Sequence, residues 1–234
     1  MNPVGGLAAM LYQASTWVLP VVVAVTFHEA AHGFVARQFG DETAWRAGRV
    51  TFNPLNHIDL FGTIILPALL LLSSSGRLLF GYAKPVPVNF RHLNNPRRDM
   101  VWVALAGPAT NVLLAILSSL FYYGIVFLPV KEALWVGSNL ENSIIINVAL
   151  CVFNMLPLPP LDGGRVAVGL LPDRLAFPLA RVERYGIPIL LLFLFVIPFL
   201  GTQLGLSLNI VSWLIGVPAD ALFQFVLFIT GHNE

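Results

Sequence analysis

Apolar and polar positions along this chain come in long blocks rather than in a short period. Uncharged runs extend over residues 1–27, 60–76, 100–130, 143–161, 186–219 and 221–231. A helix needs about 20 residues to cross about 30 Å of hydrocarbon. The 100–130 and 186–219 runs meet that length, and the first does so when its helix continues to about Arg37. The 143–161 run is marginal and needs a start a few residues earlier. The 60–76 run is short and holds Pro67 at its centre. Pro85 and Pro87 keep 84–89 out of a helix and leave it extended or at a sheet edge. With 49–52 it is expected to form a small sheet near the membrane surface. Beyond 186, Pro188, Pro198, Gly201, Gly216 and Pro218 divide the apolar run into two or three short helices. The predicted fold is an all-α integral membrane protein. It has about five to six transmembrane helices, a re-entrant segment and a small membrane-associated β element.

Composition supports lipid as the solvent. Hydrophobic residues make up 57% and charged residues 11%, with a mean hydropathy of +0.78; a soluble domain carries about a quarter charged residues. The net charge of +1 gives no reason to expect a nucleic-acid partner. Cys151 is the sole cysteine, which excludes a disulfide framework and a cysteine-based metal site. Nothing from Met1 to Phe27 is charged, so the basic leader of a cleavable signal is missing and this stretch reads as a retained span.

Charge also orients the chain. Simple alternation of spans would put loops 37–59 and 77–99 on opposite faces, against the positive-inside rule. If 60–76 dips in and returns, twelve of the thirteen Lys and Arg residues share the cytoplasmic side, all but Lys131. The expected path is therefore re-entrant at 60–76, packed against protein because lipid tolerates no unpaired backbone. Polar loops are expected at 131–142 and 162–185.

His28-Glu29-Ala30-Ala31-His32 carries the chemistry. On a helix, residues i and i+4 share a face, so both imidazoles reach one zinc. Glu29 projects beside them and can take a proton from a water on the metal. Such residues at the end of an uncharged stretch are costly in lipid, which favours function over a polar cluster satisfied at a helix end. They precede Arg37 by nine and five residues, so the site lies roughly 8–13 Å below the cytoplasmic surface.

A catalytic zinc wants three protein ligands and an open position. The candidate third ligand is Asp162, after Asn154-Met155-Leu156-Pro157-Leu158-Pro159-Pro160-Leu161 and before Gly163-Gly164. Prolines end the helix there and glycines let the backbone turn tightly. With 60–76 re-entrant, Asp162 arrives on the same face as His28 and His32. Without a metal, Asp162 would read as a cap or turn aspartate. Asn154 reads equally as a donor to the scissile carbonyl or as an interhelical hydrogen bond. Asn111 reads as structural, and His57 as a turn histidine rather than a fourth ligand or latch.

Together these motifs resemble the site-2 protease family of intramembrane zinc metalloproteases. The likeness covers about residues 20–185 and rests on His28 to His32, Asn53-Pro54-Leu55-Asn56-His57-Ile58-Asp59, Gly107-Pro108-Ala109-Thr110-Asn111, and Asn154 to Gly164. It implies one zinc per chain on His28, His32 and Asp162, with Glu29 as general base and Asn154 assisting. It also implies cleavage of single-span membrane proteins in regulated intramembrane proteolysis. The chain is similar to the short prokaryotic branch without PDZ or CBS domains. The expectation is one membrane-embedded domain over 1–234, with a catalytic core at about 7–185 and C-terminal helices at 186–231. Its place is a prokaryotic cell membrane, with the active site toward the cytoplasm. Competing readings are a non-catalytic zinc-containing binder of membrane helices, another class of membrane zincin with a glutamate ligand, and a transporter. Segment 84–89 is expected to pair with unwound substrate as an added strand.

Overall fold

The structure, a computed structural model, describes residues 3–66, 69, 81–203 and 212–232. Helix α1, Pro3–Gln38, is 36 residues long and carries the first apolar run and its histidines on one rod. Gly40 ends it by taking φ 101°, a left-handed turn that suits glycine. The short α2, Thr43–Arg46, follows. Helix α3, Pro96–Tyr122, begins with proline in its first turn. There the buried Asp99 carboxylate accepts from the Asn95 N–H at 2.6 Å. Helix α4 is Val130–Asn154, α5 is Asp162–Leu170 and α6 is Asp173–Val182. Helix α7, Gly186–Leu191, and α8, Ile197–Gln203, are joined through a wide helical turn at Leu192–Val196. Helix α9 is Val217–Thr230.

Helices α1, α3 and α4 pack against one another, α5 lies on α3, and α9 closes on α3 and α4. Small residues and hydroxyls make these contacts. Ala115, Ile144, Val148 and Val226 form one buried cluster. Ser118 donates to Ser143 Oγ at 2.7 Å, and Ser119 pairs with Thr230 at 2.7 Å. In lipid, where apolar surface gains nothing by meeting apolar surface, such packing and hydrogen bonding hold helices together. Large apolar side chains face outward instead: Phe121, Val126, Phe127 and Trp213 are all exposed.

Among the described residues, four helical stretches are long and apolar enough to cross a membrane: Ala8–Gln38, Pro96–Phe127, Val130–Asn154 and Trp213–Thr230. A pair bent by 74°, Asp173–Tyr185 with Pro188–Gly201, makes a fifth if counted as one span. The described residues thus hold four or five candidate spans against the expected five to six.

Three further expectations change. The marginal run at 143–161 belongs to a helix that begins at Val130, so the expected loop 131–142 is helical. Its polar groups find partners: Glu141 accepts from the Tyr122 hydroxyl at 2.8 Å, and Asn142 donates to Thr16 O at 2.9 Å. The expected loop 162–185 folds into α5, α6 and a further short turn. No β-strand forms among the described residues, so the small β element is not made. Residues 81–89 are extended, but side chains and a single turn hold them rather than a neighbouring strand. Val86 N–H binds the Glu29 carboxylate at 2.7 Å, Asn89 N–H binds Asp41 at 2.7 Å, and Lys84 N–H binds His57 O at 2.9 Å.

Most of the segment expected to be re-entrant, residues 67–68 and 70–76, lies outside the described residues. Its two flanks meet. Tyr82 N–H donates to Gly62 O at 2.9 Å, and the Thr63 hydroxyl donates to Tyr82 O at 2.9 Å.

Candidate metal centre

Helix periodicity puts His28 and His32 one turn apart on the buried face of α1. Asp162 comes from elsewhere. Helix α4 stops at Asn154, and residues 155–161 turn back through a cis Pro159–Pro160 bond, so that α5 starts beside the end of α4. Gly163 and Gly164 permit this close return. A Cβ on Gly163 would stand 2.2 Å from Met155 O, and one on Gly164 2.2 Å from Pro159 N. Asp162, the first residue of α5, thereby faces the two histidines.

The three donor atoms form a small triangle. His28 Nε2 and His32 Nε2 are 3.0 Å apart, and Asp162 Oδ2 lies 3.2 and 3.3 Å from them. All three residues are buried. In a tetrahedral zinc site with bonds of about 2.0–2.1 Å, neighbouring donors stand roughly 3.3 Å apart. The separations therefore fit a zinc ion.

Protons agree with that fit. His32 Nδ1 donates to Val103 O at 2.7 Å and His28 Nδ1 to Asn111 Oδ1 at 2.6 Å. With both Nδ1 atoms protonated, each neutral ring turns an unprotonated Nε2 toward the centre. Asp162 Oδ2 is buried there and takes no hydrogen bond. Three lone-pair atoms this close repel one another unless a cation lies among them. His28, His32 and Asp162 are the one His/Cys/Asp/Glu group among the described residues that could hold a metal ion.

Helix α3 forms the back wall. A Cβ on Gly107 would meet His32 Nε2 at 2.4 Å and His28 Nε2 at 2.6 Å, so only glycine lets α3 pass this close. Val103, Gly107 and Asn111 are spaced four residues apart and present one face to the histidines. Asn111 is wholly buried. Its Nδ2 donates to Asn147 Oδ1 at 2.8 Å and to Ala24 O at 3.4 Å.

Glu29 is half-buried on the same turn of α1, its Oε2 held by the Val86 N–H. Asn154 ends α4, and its amide donates to Leu150 O of its own helix at 3.0 Å. That bond does not connect Asn154 to the triangle. His57 lies in the turn Pro54–His57, buried, with Nε2 at 3.0 Å from Thr51 O, and outside the metal group. Of the later glutamates, Glu141 holds the Tyr122 hydroxyl and Glu183 lies 3.6 Å from Arg165.

Sequence reading underrated Asn111 and passed over Asn147 and Val103. A buried amide inside an apolar helix was the available signal for Asn147. The Val103 carbonyl carries none.

Outside the spans, Asp41 fastens the end of α1 to the extended segment. Burial works against its charge. Hydrogen bonds from the Thr43 side chain and backbone, the Asn89 backbone and His92 outweigh it and hold the Asp41 carboxyl below its usual range.

Comparison of the sequence with known proteins gives a family. The sequence profile of Peptidase family M50 matches residues 16–143 and 131–197. "Putative zinc metalloprotease YwhC" of Bacillus subtilis (strain 168) is 42% identical over 188 residues, which cover 77% of this chain and 80% of the relative. Rip2 of Mycobacterium tuberculosis (strain ATCC 25618 / H37Rv), with the same form of name, is 31% identical over 193 residues, 82% of this chain and 70% of the relative. MJ0611 of Methanocaldococcus jannaschii, likewise so named, is 34% identical over 143 residues, 60% of this chain and 62% of the relative. No solved structure matches the chain. From the match along residues 16–197 and these relatives, the chain belongs to peptidase family M50, the site-2 protease family.

Proposed function

We propose that the chain is an intramembrane metalloendopeptidase that holds one zinc on His28, His32 and Asp162 and cuts single-span membrane proteins within or beside their spans. The observation that carries this is the triangle of lone-pair donors, 3.0 to 3.3 Å on a side, with Glu29 next to one of them in sequence. Zinc bound there supplies Lewis acidity, which acidifies a water and polarises a carbonyl.

The chain's own residues do the rest. Glu29 takes the proton of the attacking water and returns it to the leaving amine. The Val86 N–H fixes the direction of its Oε2. Asn154 assists by donating to the carbonyl under attack, and to do so its amide turns away from Leu150 O. A helical substrate hides its carbonyls in its own hydrogen bonds and must unwind first. Segment 84–89 remains the candidate surface for the unwound strand. The amides of Lys84, Val86 and Asn89 are already engaged, Pro85 and Pro87 have none, and the carbonyls of Lys84, Pro85 and Asn89 accept from Arg49 and His92, so Val88 offers its N–H beside the carbonyls of residues 86–88.

The same reading keeps residues 62 and 82, which are hydrogen-bonded to each other, on one face of the membrane. It sets the site in a prokaryotic cell membrane, toward the cytoplasm, within one domain spanning 1–234.

The test is purification in detergent, metal analysis, and an assay against a panel of single-span proteins with Glu29→Gln as control. The reading requires about one zinc per chain and cleavage that Glu29→Gln abolishes. A wild-type protein without zinc, or cleavage unchanged in Glu29→Gln, would sink it.

A further inference from the structure

The hydrogen bonds behind His28 run farther than one partner. Asn147, wholly buried in α4, donates through Nδ2 to Ser143 O of its own helix at 2.8 Å. A backbone carbonyl only accepts, so it dictates which way the Asn147 amide faces. Its Oδ1 is then left toward Asn111 Nδ2 at 2.8 Å. That contact, together with a longer one from Nδ2 to Ala24 O at 3.4 Å, dictates the Asn111 amide, whose Oδ1 receives the His28 Nδ1–H at 2.6 Å. Each step removes one of two possible directions, and the sequence ends on the ring nitrogen that must keep its proton.

Without such a fixed end, an amide beside an imidazole is ambiguous. If Asn111 turned over, its NH2 would face His28 Nδ1 and favour the ring form with its proton on Nε2. That form has no lone pair to offer at the centre.

We propose that Asn147 is a positioning residue that acts through Asn111 to keep the Nε2 of His28 free for the metal. This rests on the zinc reading of His28, His32 and Asp162. The anchor is the Ser143 carbonyl, with Ser143 Oγ a longer contact of the same Nδ2 at 3.3 Å, so side chains beyond Ser143 are dispensable for this purpose. Ser118 Oγ donates to Ser143 Oγ, and this bond leaves the direction of both amides unchanged.

The experiment measures zinc affinity of the detergent-purified full chain by competition with a chromogenic chelator, with thermal unfolding read in parallel. Asn147→Leu removes the nearer of the two acceptors for Asn111 Nδ2, leaving only Ala24 O at 3.4 Å, and is expected to weaken zinc about tenfold or more, in the range of partners that orient metal ligands. Asn147→Asp keeps an acceptor for Asn111 Nδ2 and is expected to stay within about threefold of wild type, although a buried carboxyl lowers its melting temperature. Ser118→Ala is expected to bind zinc as wild type does. A purely structural role predicts the reverse order, with Asp as harmful as Leu or worse. Equal zinc affinity in Asn147→Leu and wild type overturns the proposal, as does equal loss in Leu and Asp. Should Asn147→Leu not fold, Asn147→Asp decides alone, and a tenfold loss there overturns it. Wild-type protein that binds no zinc removes the reading beneath, a result distinct from either.

Discussion

The two ends of α3 are built from similar materials and do different things. Toward its amino end, Val103, Gly107 and Asn111 face two histidines. Toward its carboxyl end, Ser118 and Ser119 face Ser143 on α4 and Thr230 on α9. Both ends bury small and polar residues, and both satisfy them. At the far end the hydrogen bonds of Ser118, Ser119, Tyr122 and Thr230 close on hydroxyls, a backbone carbonyl, the Glu141 carboxylate and the ring of His232. At the near end the bonds hold two rings so that three unprotonated atoms point at one spot. A polar group in an apolar helix is therefore glue when its partners complete it, and part of a site when its partners aim something else.

Substitutions at the two ends should separate those roles. The largest effect is expected at the near end itself. Glu29→Gln should lower cleavage by about 100-fold or more with zinc retained, whereas Asp162→Ala should lose the zinc. Metal content and cleavage measured on the same preparations distinguish the two. Next comes Gly107→Ala, whose new methyl meets both imidazoles. Overpacking of this kind costs about 1–3 kcal/mol, and here it should also displace zinc. Gly137→Ala on α4, whose Cβ would meet nothing closer than 3.7 Å, should leave metal content unchanged and melting equal or slightly higher, since alanine is the better helix former.

A pH effect follows from Asp41, which ties the end of α1 to segment 84–89. Its carboxyl is held below the usual value by hydrogen bonds. Its contribution to stability is thus full above about pH 4, the ordinary aspartate pKa, and is lost as the pH falls through the lower folded-state value. Melting curves at pH 5 and pH 3 should differ more for wild type than for Asp41→Asn. The smallest effect is expected at the far end. Ser119→Ala should cost about 0.6 kcal/mol, an average interhelical hydrogen bond in a membrane, with zinc and cleavage intact. If it lowered zinc affinity, the division of α3 into two working ends would fail.

Local signals were legible in the sequence wherever neighbours in space were neighbours in sequence. The uncharged runs placed the chain in lipid, and the i, i+4 spacing put His28 and His32 on one face. Prolines and glycines around Asp162 announced a break that the structure uses to start α5. Span limits were less legible. Charged residues inside 131–142 masked the first half of α4, because Tyr122 satisfies Glu141 from another helix. The extended 84–89 segment was recognised, but its partner was not another strand.

The sequence alone determined the solvent, the two imidazoles, the carboxylate beside them and a third ligand to look for. Tertiary structure decided what aims them. Asn111 reaches His28 across 83 residues, Val86 reaches Glu29 across 57, and Asn147 reaches Asn111 across 36. No periodicity links positions that far apart. Packing brings them together, and only then does it matter which atom donates and which accepts.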